Sequence, residues 1–348
     1  MKTVALDMHR ERTQLTVALE TGEIVTERIV ATKAESLRQE VAQIPGPKQV
    51  ILENGGWAAH IYDALKDVAE EVIVCDPTRN KLISKADDSD DKRDAERLGI
   101  LSRAGALRAI YVPPEPYRTL RALINHESYL TKATTGNMLR LKAFCRMHGV
   151  AYQGKGIYQK KGRAAVLAQF SENSRFQIES LYRLLDGTRD ERHVLRTELR
   201  KRSLLIPPIK RMQTVPGIGP ITARTLAAYI ADPTRFKSPS ALAAYAGLGL
   251  SQDISNWHPV RRTHASKRGQ RAVKRVLFLA ARAAVGWGKS RLAERYKARI
   301  ASGWEDRKAI RDTARKILLT ACGVWTSRQE YDDGRITVPV VRPTLSAR

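Results

Sequence analysis

The run Lys85-Ala-Asp-Asp-Ser-Asp-Asp91-Lys-Arg-Asp94-Ala-Glu-Arg-Leu98 concentrates acids in a 348-residue chain whose formal net charge is +25. Asp91 and Asp94 stand three apart, so on a helix they share a face. Two carboxylates so placed repel unless a cation sits between them, and hard oxygen ligands suit Mg²⁺ or Mn²⁺. A solvated acidic helix start, favoured by the macrodipole, would use the same residues without chemistry. Two further acids close predicted strands: Asp7 ends Thr3–Asp7 and Glu53 ends Gln49–Glu53. Strand ends are where α/β sheets build sites. Four carboxylates gathered there would hold two metals about 3.5–4 Å apart, an arrangement that stabilises the attacking and leaving oxygens of a phosphodiester. Asp87, Asp88 and Asp90 offer the same ligand chemistry as Asp91.

A second set of residues lies near the other end of the chain. Ser251-Gln-Asp-Ile-Ser255-Asn-Trp257 reads as an exposed loop, with Ser255 and Ser251 as its hydroxyls. Behind it, residues 261–275 hold seven cations in fifteen positions: Arg261, Arg262, Lys267, Arg268, Arg271, Lys274 and Arg275. A basic helix start behind a serine-bearing loop reads as a phosphate cradle. Ser266 is placed to cap the following helix, expected over about Gln270–Trp287. Upstream, Thr214-Val-Pro-Gly-Ile-Gly219 precedes a helix over Ala223–Ile230 and is similar to a helix-hairpin-helix. There Gly217 and Gly219 would bring backbone N–H groups to a phosphate without reading sequence. The same turn also serves purely structural ends.

The elements that must position these groups follow from the pattern. Strands are expected over Thr3–Asp7, Gln14–Leu19, Ile24–Ala31, Gln49–Glu53 and Val72–Cys75. Helices are expected over Ala34–Gln43, stopped by Pro45-Gly-Pro47, over Trp57–Glu71, and over about Asp91–Arg103. Three strands, then alternating helix and strand, describe a mixed α/β sheet whose first three strands are antiparallel. After the rigid link Tyr111–Pro116 the periodicity turns helical, from Tyr117 to about Met147 and again from Ala164 to Leu205, with a break at Asp186-Gly187. That pair is expected to be antiparallel, an arm for dimerisation or nucleic-acid contact. Its joining loop, Lys155–Arg163, sets Tyr158 among cations, which suits backbone and stacking contacts to RNA or DNA. Pro207-Pro208 opens a basic, helical remainder, with helices over about Ser290–Ala301 and Trp304–Trp325. The domain boundaries expected are 1–110, 111–205 and 206–330, with 331–348 as a tail.

Charge separates these regions. Residues 1–105 carry 15 Lys/Arg against 19 Asp/Glu, whereas residues 106–348 carry 46 against 17. An excess of that size exceeds what solubility asks for and points to a polyanion-binding body beside a separate metal site. No run of 18 apolar residues is present, so no membrane partner is expected. The opening MKTVALDMH lacks a signal-peptide pattern, and Cys75, Cys145 and Cys322 are odd in number and dispersed. Both features point to a reducing cytoplasm and against a disulfide framework.

Together, the acids Asp7, Glu53, Asp91 and Asp94, the start Asp7-Met-His9, and the later set Ala246-Gly-Leu248, Ser255 and Ser266-Lys-Arg-Gly269…Lys274-Arg275 resemble the DEDD transposases of the insertion sequence 110 family. The resemblance spans about residues 1–325. It implies a ribonuclease-H-like, RuvC-type N-terminal domain, a long helical pair and a helical C-terminal transposase domain. It also implies Mg²⁺ at the four acids and Ser255 as a nucleophile that forms a covalent phosphoserine link to DNA. A structured guide RNA and a homodimer or homotetramer, with acids and serine supplied by different protomers, complete the expectation. The competing readings are a metal-dependent, structure-selective endonuclease similar to a Holliday-junction resolvase, with water as nucleophile, and a non-catalytic nucleic-acid scaffold.

Overall fold

The computed structural model describes residues 1–76, 98–255, 258–265 and 268–339, with backbone alone over 250–255 and 258–265. It divides into two units, Met1–Pro113 and Pro114–Arg348. The first is a mixed α/β sheet and the second is largely helical, in agreement with the coarse fold class read from the sequence.

In the first unit the order is β1 (Lys2–Met8), β2 (Arg12–Ala18), β3 (Ile24–Ala31), α1 (Ala34–Gln43), β4 (Lys48–Glu53), α2 (Ala58–Leu65) and β5 (Glu71–Cys75). The five strands lie side by side as β3-β2-β1-β4-β5. β1–β2 and β2–β3 are antiparallel, and β1–β4 and β4–β5 are parallel. Side chains alternate across a strand, so β1 sends Val4 and Leu6 to one face and Ala5 to the other. Val4, Leu6, Val50, Leu52 and Val74 pack with Leu37 and Val41 of α1 and Ile61 and Leu65 of α2. On the opposite face Ala5, Ile51 and Cys75 pack with Leu98, from the helical residues 98–103. Both faces of the central strands are therefore covered, which is why they read as apolar runs rather than as alternating ones. The expected helix from Asp91 lies outside the described residues as far as residue 97.

α2 stops well short of the expected Glu71. Glu70 takes the Lys48 amide onto its carboxylate, and its own amide donates to the Lys48 carbonyl. Those two bonds tie the chain to the foot of β4 and start β5 at Glu71, so the helix has to end first.

The second unit opens with α3 (Tyr117–Met147), α4 (Lys160–Leu167) and α5 (Glu172–Leu204). α3 and α5 run antiparallel: Glu127 meets Arg192 and Arg196, Asn137 meets Leu184, and Leu141 and Phe144 pack with Ile178 and Leu185. The break expected at Asp186-Gly187 lies instead between α4 and α5. Helix continues through Gly187 because Asp186 is held by both terminal nitrogens of Arg163, whose guanidinium also stacks 4.4 Å from the Tyr182 ring. The basic loop is corrected with it. Tyr158 is buried with Phe144 and Phe170, so it is core rather than a stacking platform.

That clamp gives a pH prediction. Arg163 holds the Asp186 carboxyl below its ordinary range, more than burial raises it. A depressed folded pKa contributes stability above the unfolded value, lost as pH falls through the folded one. Arg163 Nε already lacks a partner, so Asp186→Asn is expected to cost about 2 kcal/mol. Melting curves should show that deficit constant from pH 6 to 8 and shrinking below about pH 4, where the wild type loses the same charge.

The remainder comprises α6 (Pro207–Met212), α7 (Pro220–Ile230), α8 (Pro239–Tyr245), β6 (Leu250–Ser255), β7 (His258–Ala265), α9 (Arg271–Trp287), α10 (Arg291–Ala301) and α11 (Asp306–Ser327). Ile209, Leu226, Leu277, Ile310 and Leu318 share one core with Leu199 of α5. Beyond α11, Ile336 is buried in that core and Asp333 accepts the Arg291 amide at the start of α10, so the chain is docked as far as Ile336. Among the described residues no helix is long and apolar enough to cross a membrane. Cys75, Cys145 and Cys322 are all buried and form no disulfide.

Candidate functional site

Parallel pairing of β1 with β4 aligns Leu6 with Leu52. Asp7 and Glu53 each follow that last pair by one residue, at the C-terminal ends of adjacent strands. Alternation puts both acids on the face of Ala5 and Ile51, away from α1 and α2. Neighbouring strands lie about 4.8 Å apart, so the two acids stand side by side at the C-terminal end of the sheet's central strands. Both are half-buried, with the Asp7 side chain 18% exposed. His9 Nε2 lies 3.0 Å from Asp7 Oδ2. His9 stands two residues on, so the Asp-x-His spacing returns it to the same face.

Beyond Glu53 the chain leaves the sheet at once. The Asn54 amide donates to the Cys75 carbonyl, and a Cβ at Gly55 or Gly56 would meet nothing within 4 Å. Trp57, 48% exposed, leads into α2. Asp76 follows β5 at the same end of the sheet, with its amide donating to the Arg108 carbonyl. Cys75 pairs with Glu53, so Asp76 falls on the other face and does not join the pair.

Two hard oxygen donors on one face suit a divalent cation in chemistry and in placement. Asp91 and Asp94 lie outside the described residues, and among those described no group of three or more His, Cys, Asp or Glu is placed to hold a metal. Leu98 lies on the Asp7 and Glu53 face. Asp94 and Asp91 precede it in the chain by four and seven residues.

The basic C-terminal set is redistributed. Ser255 is the last residue of β6 and pairs with His258 in a two-stranded hairpin, where a loop was expected. Extended backbone suits Ile254 and Val260, and the cross-strand ladder satisfies main-chain groups that a loop would leave to water. Arg261 and Arg262 lie on β7 rather than at a helix start. Lys267, Ser266 and Asn256 are outside the described residues. Gln270, not Ser266, occupies the cap position of α9, and it makes no side-chain bond there. Gly269, at φ +103°, closes the hairpin base: a Cβ there would stand 2.5 Å from the Gly247 amide nitrogen. Arg268 is exposed, and Arg271, Lys274 and Arg275 follow within the first five residues of α9 with no acid among them. Three cations there oppose the helix dipole, an arrangement an anion would relieve.

The two glycines of the turn between α6 and α7 prove unlike. Gly217, at φ +86°, abuts α9, and a Cβ there would come 2.1 Å from the Ala280 carbonyl oxygen. It is a packing residue. Gly219 is exposed at the cap of α7, with open space around it, and of the two it alone can approach a phosphate.

Comparison with known proteins adds an independent line. A family model described as "Transposase IS116/IS110/IS902 family" matches residues 209–297, and a DEDD transposase model described as "Transposase" matches residues 4–147. The first span contains Ser255 and the second contains all four acids. The "Transposase for insertion sequence element IS1111A" of Coxiella burnetii is 22% identical over 289 residues, 81% of this chain and 78% of that protein. A Sinorhizobium fredii protein named as transposase y4qE is 24% identical over 281 residues, 79% of this chain and 69% of that protein. An insertion element IS110 protein of Streptomyces coelicolor is 30% identical over 104 residues, 30% of this chain and 25% of that protein.

Proposed function

Because this chain belongs to the IS110 family of transposases and is a DNA transposase enzyme, we propose that it exchanges DNA strands through a covalent serine intermediate, at a site built on four acids. The observation that carries the reading is the position of Asp7 and Glu53, each one residue beyond the last β1–β4 pair, Leu6 with Leu52, at the ends of adjacent parallel strands. The strand order β3-β2-β1-β4-β5, with its first three strands antiparallel, supports reading this unit as a ribonuclease-H-like, RuvC-type sheet.

Asp7 and Glu53, with Asp91 and Asp94, would hold Mg²⁺ or Mn²⁺. When bound, such a metal polarises a scissile phosphate and lowers the pKa of an attacking hydroxyl. His9 orients the Asp7 carboxylate. Ser255 Oγ loses its proton and attacks phosphorus, forming an O–P bond as the strand's bridging oxygen leaves. A second strand end then attacks the phosphoserine and releases Ser255, so the number of phosphodiesters is conserved. Gly219, Arg261, Arg262, Lys267, Arg268, Arg271, Lys274 and Arg275 hold backbone phosphates. These contacts position nucleic acid without reading bases. That division of labour, with the basic excess of residues 106–348, supports a structured guide RNA as the sequence reader, and a homodimer or homotetramer as the working form.

Denaturing electrophoresis of the wild-type chain with its element's DNA ends tests the reading. The expected result is Mg²⁺-dependent DNA that migrates with protein, lost on chelation and released by protease. Free 5′-phosphate ends with no attached protein would assign the attack to water and favour a structure-selective endonuclease.

A further inference from the structure

α5, α6 and α7 enclose a cleft of about 710 Å³ that none of the groups above uses. Its walls carry Arg196 and Arg200 from α5, Lys210 and Arg211 from α6, and Arg224 from α7, with no acid among the lining residues. Only Arg196 has an ion pair, to Glu127, which it shares with Arg192. Arg200, Lys210, Arg211 and Arg224 make no ion pair among the described residues. Arg224 is half-buried. Burial first of all, then repulsion from Arg196 and Arg200, hold its guanidinium below the usual arginine range, against the pull of Glu127. Concentrated charge of one sign in a cleft draws an anion of several charges.

The apolar content narrows the occupant. Leu204 is 80% exposed and Ile221 is 50% exposed, and both line the cleft between the cations. Duplex DNA turns phosphates and sugars outward and keeps its base faces stacked, so it would leave these side chains in water. A single strand offers phosphates to the arginines and an unstacked base or sugar to the leucine and isoleucine. Guanidinium planes also stack on bases. The volume falls in the range of a small-ligand pocket, 300–1,000 Å³.

We propose that this cleft holds a single DNA strand, gripping its phosphates with Arg200, Lys210, Arg211 and Arg224 and seating a base or sugar on Leu204 and Ile221. The proposal rests on the strand-exchange reading, in which single strands are exposed between cleavage and rejoining.

The test is fluorescence anisotropy of the full chain with a labelled twenty-nucleotide oligothymidylate, a matched RNA and a duplex. Arg200 and Lys210 are exposed, so Arg200→Gln with Lys210→Gln leaves the core intact. This double variant is expected to bind the DNA strand about ten-fold more weakly. Its log–log salt slope should be shallower by about 1.4, about 0.7 for each of two phosphates. Duplex affinity should change less than about two-fold. Leu204→Ser should weaken single-strand binding about three-fold without changing the slope, because it removes area and not charge. Unchanged single-strand affinity and slope would overturn the cleft while leaving the transposase reading intact. An equal loss on duplex, or a loss confined to RNA, would overturn the named occupant. A wild-type chain that binds none of the three would sink the underlying reading and the cleft together.

Discussion

Asp7→Asn is expected to lower Mg²⁺-dependent strand cleavage by about 10²–10³-fold, the loss typical of removing one electrostatic contact to a transition state. The substitution keeps the size of the side chain and its hydrogen-bonding reach to His9, so β1 keeps its pairing with β2 and β4. What it removes is one negative charge at the point where two strands present acids together. Quench-flow or gel assays across a Mg²⁺ titration should show the loss at every metal concentration. A second readout needs no catalysis. Mn²⁺ should raise the melting temperature of the wild type and leave that of the variant unchanged, since binding to the native state alone is what stabilises it. Equal metal-induced shifts in both proteins would remove Asp7 from the metal site, even if cleavage fell. His9→Gln should have a smaller effect, about ten-fold, because it orients the carboxylate rather than replacing it.

The sheet and its acids were legible because their causes are local. β1, β4 and β5 are apolar runs, each cut off by a polar residue, and a run buried on both faces has few other readings. Placing Asp7 beside Glu53 then needed only the parallel pairing and the alternation of side chains. α3 was equally plain, from Tyr117 to Met147, since its apolar marks keep their spacing through Gly136 and no proline interrupts them before Gly149. Other features depend on partners that sequence spacing does not name. Tyr158 sits among lysines in sequence but beside Phe144 and Phe170 in space. Gly187 was read as a break because glycine weakens isolated helices, yet α5 is held through that point by Arg163 on Asp186 and by packing on α3. Gly217 and Gly219 have identical composition and nearly identical context, and only the approach of α9 separates them. The β6–β7 hairpin was missed because Ser251–Trp257 is polar and short, and its ladder partner lies beyond residues 256–257. The cleft of α5, α6 and α7 was invisible for a related reason: its cations come from three helices and form no run in the chain.

Ser255→Ala is expected to abolish the covalent protein–DNA product altogether, below one part in a hundred of wild type, because no atom remains to form the bond. The strand should persist: β6 pairs with β7 through main-chain groups, which alanine retains. Nucleic-acid affinity should also persist within about two-fold, since the cations of β7 and α9 are untouched and phosphate contacts carry most of such affinity. Loss of adduct together with loss of binding would therefore point to a damaged hairpin rather than a missing nucleophile. Ser251→Ala serves as the internal control. It lies four residues earlier on the same strand, about 13 Å away at the rise of an extended chain. Attack on phosphorus requires an oxygen within about 3–3.5 Å in line with the leaving group. The two serines cannot share one phosphate in one register, so only one of the two variants should lose the adduct. If Ser251→Ala loses it and Ser255→Ala does not, the nucleophile moves to the start of β6 and the mechanism otherwise stands. If both retain it, the serine mechanism falls and water becomes the attacking group at the acid site.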